Sequence, residues 1–231
     1  MITLSNIKKQ QAALGIAVIF HTVGLFGILL VNKNFFIPLT PLNLLLSFAL
    51  VLWTQEDKKN NFLLFVLICF LTGMFTEWLG VNHQLLFGEY RYLSPLGVQW
   101  QGVPFIIGIN WFIIMYCCGM SVQLVLNKIW NRLKDEDMPV RNDVGFWAIV
   151  LDGALLATFF DWVMEPVAVK LGFWQWLGDG SIPFKNYWSW FLVSAFLLLI
   201  FRLFRFKKNN LFAVHLLLIQ LIFFLILRTF L

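Results

Sequence analysis

Apolar residues in this chain come in long unbroken blocks instead of alternating with polar ones. Seven blocks stand out, at roughly 11–31, 36–53, 62–81, 103–126, 144–169, 187–205 and 211–228. Each is near the length an α-helix needs to cross about 30 Å of hydrocarbon. Blocks of this kind predict helices; a membrane β-barrel requires a period-two alternation that is missing here. The pattern therefore predicts an all-α, polytopic integral membrane protein of about seven transmembrane helices. No loop is long enough for a soluble domain, so residues 1–231 are expected to form a single transmembrane domain.

The polar positions between the blocks set the expected orientation. With the N-terminus inside, the inner segments hold twelve Lys and Arg and the outer segments five. The positive-inside rule then favours an inner N-terminus and an outer C-terminus. Arg141 and Asp137 are assigned to the inner loop between the fourth and fifth spans. The first block follows Lys8 and Lys9 and lacks a small-residue cleavage site, so it is expected to be a retained helix.

Composition agrees with this picture: 60% of residues are hydrophobic and only 13% charged, where soluble domains average about 25%. The net charge of +5 does not point to nucleic acid, because the basic residues sit in loops between apolar blocks. Cys69, Cys117 and Cys118 fall inside the blocks, with neither a disulfide framework nor a metal spacing. They are expected to be core thiols.

Carboxyls inside the blocks are the informative exception, since an acid at membrane depth costs roughly 2.5–3.5 kcal/mol on insertion scales. Four are found there: Glu77, Asp152, Asp161 and Glu165. Glu77 lies about 6 Å below the outer end of the third span at 1.5 Å per residue. Glu165 lies at a similar level in the fifth span, and Asp161 one turn deeper on the same face. Three carboxyls at one depth predict one site, and such a cluster in a dry medium is expected to hold at least one proton, as a general acid must. Asp152, about 13 Å deeper, belongs elsewhere or to the floor of the same cavity. Asn110 and Asn186 fall near the same level, as do Trp78, Trp111, Trp162, Trp174, Trp176, Trp188 and Trp190. Most of these tryptophans suit an interfacial belt. Pro166 removes a backbone donor just after Glu165, and the cavity is expected to open there.

A faint internal repeat links the acids. FTEWLG is followed by LFGEYRY, then VPF and INWF; FFDWVMEP is followed by LGFWQW, then IPF and KNYWSWF. Two parallel helical hairpins would bring their acids to one interface.

Several chemistries lose support. The three histidines, His21, His83 and His215, lie at different levels, which argues against a histidine-box iron site. Nucleotide fingerprints and paired Asp-rich diphosphate motifs are missing from the sequence. Acid–base chemistry on an apolar molecule, with water as the second reactant and no cofactor, is what remains.

The segments EWLGVNHQLLFGEYRY, GVPFIIGINWF, DWVMEPVAVKLGFWQW and IPFKNYWSWF together resemble the membrane-integral carotenoid biosynthesis family over about residues 70–195. Characterised members of that family are carotenoid 1,2-hydratases. Asp161, Pro166, Val167, Ala168, Trp174, Trp176, Pro183, Asn186 and Trp190 match its pattern. Glu165 stands where Asp is usual, Ser189 where Gly is usual, and Ile182 where Val is usual.

The resemblance implies addition of water to the terminal C1=C2 bond of an acyclic or monocyclic carotenoid taken from the lipid bilayer. The expected location is a cell membrane, taken as the bacterial cytoplasmic membrane. In that reaction Asp161 is the expected proton donor, and Glu165 or Glu77 the base that aims water. Asn110 and Asn186 are the expected positioning groups, and Trp78 and Trp162 the expected walls facing a cation. Trp111 and Tyr90 complete the candidate substrate-binding set. A membrane lycopene cyclase, and a carotenoid carrier or proton-coupled transporter, are the alternatives that use the same acids.

Overall fold

The computed structural model of the protein describes residues 4–136 and 142–231. Asp137 and Arg141, counted above to the inner side, lie outside the described residues. Seven helical stretches are long and apolar enough to cross a membrane. The helices are α1 (Leu4–Phe26), α2 (Lys33–Phe36), α3 (Thr40–Thr54), α4 (Asn60–His83), α5 (Phe105–Asp135), α6 (Asn142–Lys170), α7 (Phe184–Leu203) and α8 (Leu211–Phe230). Short strands β1 (Tyr90–Tyr92), β2 (Gln99–Trp100), β3 (Val103–Pro104) and β4 (Trp174–Trp176) lie in the connections.

The first two spans are less regular than their apolar runs suggest. α1 loosens into a π-helical turn at Gly27–Val31, and Asn32 then redirects the chain. Its Oδ1 accepts from the backbone amides of Asn34 and Phe35, which caps α2. α2 and α3 together form the second span, Lys33–Thr54. α5 runs well past the expected residue 126, to Asp135.

α5 is the axis of the bundle and packs against α3, α4, α6, α7 and α8. Lipid tails are as apolar as leucine, so helix association in a bilayer relies on close packing and internal hydrogen bonds. At the end of the bundle where α3 stops, one buried network supplies the bonds. Asn210 Nδ2 donates to Thr54 Oγ1 and to Tyr116 Oη, each at 3.0 Å. Tyr116 donates to Gln55 Oε1 at 2.5 Å, and Gln55 Nε2 reaches the carbonyls of Asp57 and Lys207. That network ties α3, α5 and the α7–α8 connection together.

At the opposite end close packing dominates. Gly73 and Gly80 sit two turns apart on α4, with Glu77 between them. A Cβ on Gly73 would lie 2.6 Å from the Trp111 ring, and one on Gly80 would lie 2.7 Å from the Tyr90 hydroxyl. Asp152 is exposed on the outside of α6 and forms no part of a cavity floor; it lies half a helical turn round from Asp161, so only one of the two can face the core.

Gly73→Ala is expected to destabilise the protein by about 1–3 kcal/mol, because the Trp111 ring it meets is packed in place. Gly15→Ala, where a Cβ meets nothing within 4 Å, is the matched control and is expected to be neutral. Melting temperatures of the two variants in detergent check this, and equal melting temperatures would contradict it.

Candidate active site

Glu77, Asp161 and Glu165 meet in one buried chamber between α4, α5, α6 and α7, with relative exposures of 5%, 0% and 2%. The chamber has a volume of about 30 Å³, room for about two waters where one needs ~10–15 Å³. Among the described residues that line it, none is Lys or Arg. Neutral hydrogen-bond donors therefore satisfy the acids.

Those donors come from the connections. β1 and β4 pair antiparallel, with Tyr90 opposite Trp176, Arg91 opposite Gln175, and Tyr92 opposite Trp174. Alternate residues of a strand share a face. Tyr90, Tyr92, Trp174 and Trp176 therefore all point down onto the acids, while Arg91 and Gln175 point away. With its amide oxygen turned toward Arg91, Gln175 accepts from the guanidinium at 2.9 and 3.0 Å. The two-stranded ribbon is a lid whose underside carries two phenols and two indoles.

Each acid has a distinct set of partners. Glu77 Oε2 accepts from the hydroxyls of Tyr90 and Tyr92, the latter at 2.8 Å. Glu77 Oε1 accepts from Trp111 Nε1 at 3.0 Å. Glu165 Oε1 accepts from Trp174 Nε1 at 2.6 Å and from Trp176 Nε1 at 2.7 Å. Asp161 Oδ2 accepts from Asn186 Nδ2 at 2.7 Å, whereas its Oδ1 is buried with no donor. Asp161 and Glu165 are one turn apart on α6 and both line the chamber. Burial, and then the charge of Glu77, push the Tyr90 and Tyr92 phenols well above their ordinary range, so both remain donors.

The aromatic walls are themselves tightly set. Trp111 stacks on Trp190 with ring centroids 4.2 Å apart and planes 17° apart. Phe87 closes one side; its backbone N–H donates to Ser189 Oγ at 3.0 Å. That contact gives a role to the serine standing where glycine is usual.

Asn110 and Asn186 separate in role. Asn186 is committed to Asp161. Asn110 forms no side-chain hydrogen bond among the described residues and lines both the chamber and a second cavity. This larger space, of about 250 Å³, is largely apolar and runs between α1, α3, α5, α6 and α8. Ile107, Asn110, Met164 and Trp174 line both spaces. The exposed side chains of Phe20, Val23 and Leu42 lie at its lipid-facing mouth.

Trp78 and Trp162 do not join the acids. Trp78 stacks on Phe75 and meets His83 edge-on. Trp162 is 46% exposed, with the Arg228 guanidinium 4.1 Å over its ring. Consecutive helical residues point about 100° apart, so a tryptophan directly after an inward acid faces lipid. Pro166 likewise opens no cavity. The Trp162 carbonyl it leaves without a helical donor accepts from Arg228 at 2.9 Å, and α6 continues to Lys170.

The residues that the sequence left outside the site are Tyr92 and the tryptophans at 174, 176 and 190. The signal was present in Tyr-x-Tyr and Trp-x-Trp, two period-two patterns that begin thirteen residues after Glu77 and Asp161 respectively.

No match was found among curated proteins or among solved structures. The family described as carotenoid biosynthesis protein matches residues 39–231, from the second span through the last. With seven membrane-crossing helices and a match over most of its length, the chain belongs to the carotenoid biosynthesis protein family.

Proposed function

We propose that the protein hydrates the terminal C1=C2 double bond of an acyclic carotenoid end group, giving a tertiary 1-hydroxyl. The observation that carries this reading is the junction of two unlike spaces. A chamber sized for water and walled by three carboxyls shares Ile107, Asn110, Met164 and Trp174 with a larger apolar cavity whose edge carries exposed apolar side chains.

In this reading the carotenoid enters from the membrane between α1 and α3. Its end group reaches the threshold at Asn110 while the rest of the chain stays in the apolar cavity or in lipid. Asp161 holds the proton on Oδ1 and delivers it to C2, which consumes the π-bond and leaves a tertiary cation at C1. Water held beside Glu165 adds to C1, and the extra proton passes to the Asp161–Glu165 pair, restoring the starting state. Proton and water balance without a redox partner.

Glu77 is a positioning group in this scheme, because three donors occupy its two oxygens. The indoles of Trp111, Trp174, Trp176 and Trp190 line the chamber. They take the cation-shielding role first expected of Trp78 and Trp162, since aromatic faces stabilise a desolvated cation by ~2 kcal/mol or more. We place the activity in the bacterial cytoplasmic membrane.

Cells that make ψ-ended carotenoids, with and without existing hydroxyls, are the direct test. Expression of this chain is expected to give pigments heavier by one water, read by mass spectrometry. Products of unchanged mass but altered absorption would favour cyclisation. Purified protein carrying unconverted pigment would favour a carrier, and either result overturns hydration.

Asp161→Asn keeps the side-chain size but cannot donate the proton. It is expected to lower hydration by about 10²-fold or more at equal membrane abundance. Undiminished product would remove Asp161 from the donor role.

Trp174→Phe and Trp176→Phe each leave Glu165 Oε1 one indole donor. The double variant leaves it none, at a cost of about 1–3 kcal/mol for an unsatisfied buried acceptor. Loss of melting temperature and of product is therefore expected to be larger in the double variant than the sum of the single losses. Additive effects would contradict the shared-acceptor geometry.

A further inference from the structure

One polar side chain on the wall common to the two cavities is uncommitted. Ile107, Asn110, Met164 and Trp174 line both spaces. Ile107 and Met164 are apolar, and the Trp174 indole N–H is held by Glu165. Asn110 is partly buried, and its amide has no protein partner among the described residues. The fully enclosed side-chain polar atoms that lack a partner belong to other residues, so the Asn110 amide keeps accessible surface. Because α5 packs against α3, α4, α6, α7 and α8, that surface faces the cavities and not lipid.

The acids in the chamber offer a water little by comparison. Donors occupy both oxygens of Glu77, two indoles occupy Glu165 Oε1, and Asn186 occupies Asp161 Oδ2. Glu165 Oε2 has no protein donor among the described residues and is left to hold a water. A single acceptor fixes one hydrogen of that water and lets the molecule turn about the bond. A second acceptor fixes the other hydrogen and leaves the oxygen lone pairs free to attack.

Asn110 Oδ1 meets that need. Nothing in the protein sets the rotation of its amide, so the oxygen turns to whichever group donates. An amide also suits the position chemically. It accepts a hydrogen bond without acting as a base, whereas a fourth carboxyl would compete for the proton that the alkene requires.

We propose that Asn110, with Glu165, holds the attacking water and so decides whether the cation is captured by water or returns to alkene. The inference rests on the proposed hydration and deepens it. Protonation forms a C2–H bond from the C1=C2 π-bond and leaves the cation at C1. With water in place, its oxygen bonds to C1 and the extra proton goes to a carboxylate. Without it, a neighbouring C–H bond breaks, its electron pair rebuilds a double bond, and its proton goes to the carboxylate. In heavy water the acid carries deuterium, so failed capture leaves label on carbon in carotenoid that has gained no water.

The test gives lycopene and γ-carotene, both ψ-ended, to detergent-purified full-length protein in heavy water. Mass spectrometry at early times reads the ratio of label in unhydrated carotenoid to water added. That ratio does not depend on how much of a variant folds. Asn110→Leu and Asn110→Ala remove the acceptor, and each is expected to raise the ratio about two- to tenfold, the range of one neutral hydrogen bond. Asn110→Asp keeps an acceptor oxygen and is expected to leave the ratio near that of the unaltered protein. An unchanged ratio in the Leu and Ala variants overturns the assignment, since a merely structural role lowers labelling and hydration together. A ratio raised as much in Asn110→Asp overturns it too. Variants that neither label nor hydrate place Asn110 in the protonation step or the fold, which also overturns it. Unaltered protein that adds no water to either carotenoid overturns hydration itself, a result distinct from all of these.

Discussion

Three carboxyls buried together in a membrane protein have no bulk water and, among the described residues, no cation lining their chamber, and the half of the structure that holds them follows from that constraint. Their oxygens must be met by protein donors that bring no charge and little polar surface. Phenols and indoles answer this best, since each offers one donor on an otherwise apolar body. Five of the six donors to the acids are of this type, Asn186 being the other. Aromatic donors are bulky, however, and must approach from a fixed direction. The β1–β4 ribbon sets that direction for four of them. Gly73 and Gly80 clear the space in which Trp111 and Tyr90 reach Glu77.

The same constraint explains the local symmetry and a break in it at the acids. In each half an acid–tryptophan pair ends a helix and is followed, thirteen and fifteen residues later, by two aromatic donors on a short strand. A Pro-Phe then starts the return helix. Trp111 and Trp190, each six residues after that Phe, stack on one another across the interface. The strand register is symmetric about Arg91 and Gln175. The break lies one turn beyond the acids, where the first half has Val81 and the second has Glu165. Glu77 keeps the donors of its own strand, whereas in the second half Glu165 takes both indoles. Asp161, the counterpart of Glu77, is left with Asn186 alone and one free oxygen. An added acid thus changes the state of its neighbour by drawing away its donors.

How much of this was legible depended on the period each feature obeys. Helical spans are long enough that composition alone marks them, and a rise of 1.5 Å per residue put Glu77, Asp161 and Glu165 at one level. Depth is a linear quantity and reads well from sequence. Direction is periodic and reads poorly when neighbours are chosen by adjacency, which is how Trp78 and Trp162 came to be expected at the site although they face outward. The lid was hidden for a different reason. Strands of three residues fall below what any pattern makes secure, and Tyr-x-Tyr and Trp-x-Trp sit among tryptophans that an interfacial belt already explains. The contact of His21 with Asn43 had no local signal at all, since two separate helices supply it.

Placing the two cavities end to end also bears on selectivity. Protonation of an alkene and capture of the cation by water make opposite demands, the first for a dry proton donor and the second for a held nucleophile. One large wet pocket would hydrate the carboxyls and weaken the acid; one large dry pocket would leave the cation to lose a proton again. Here the water-sized space lies on the carboxyl side of Asn110 and the hydrocarbon space on the other. On the proposed hydration, the reacting bond is the part of the substrate placed between the two, with a dry donor and a held water each on its own side.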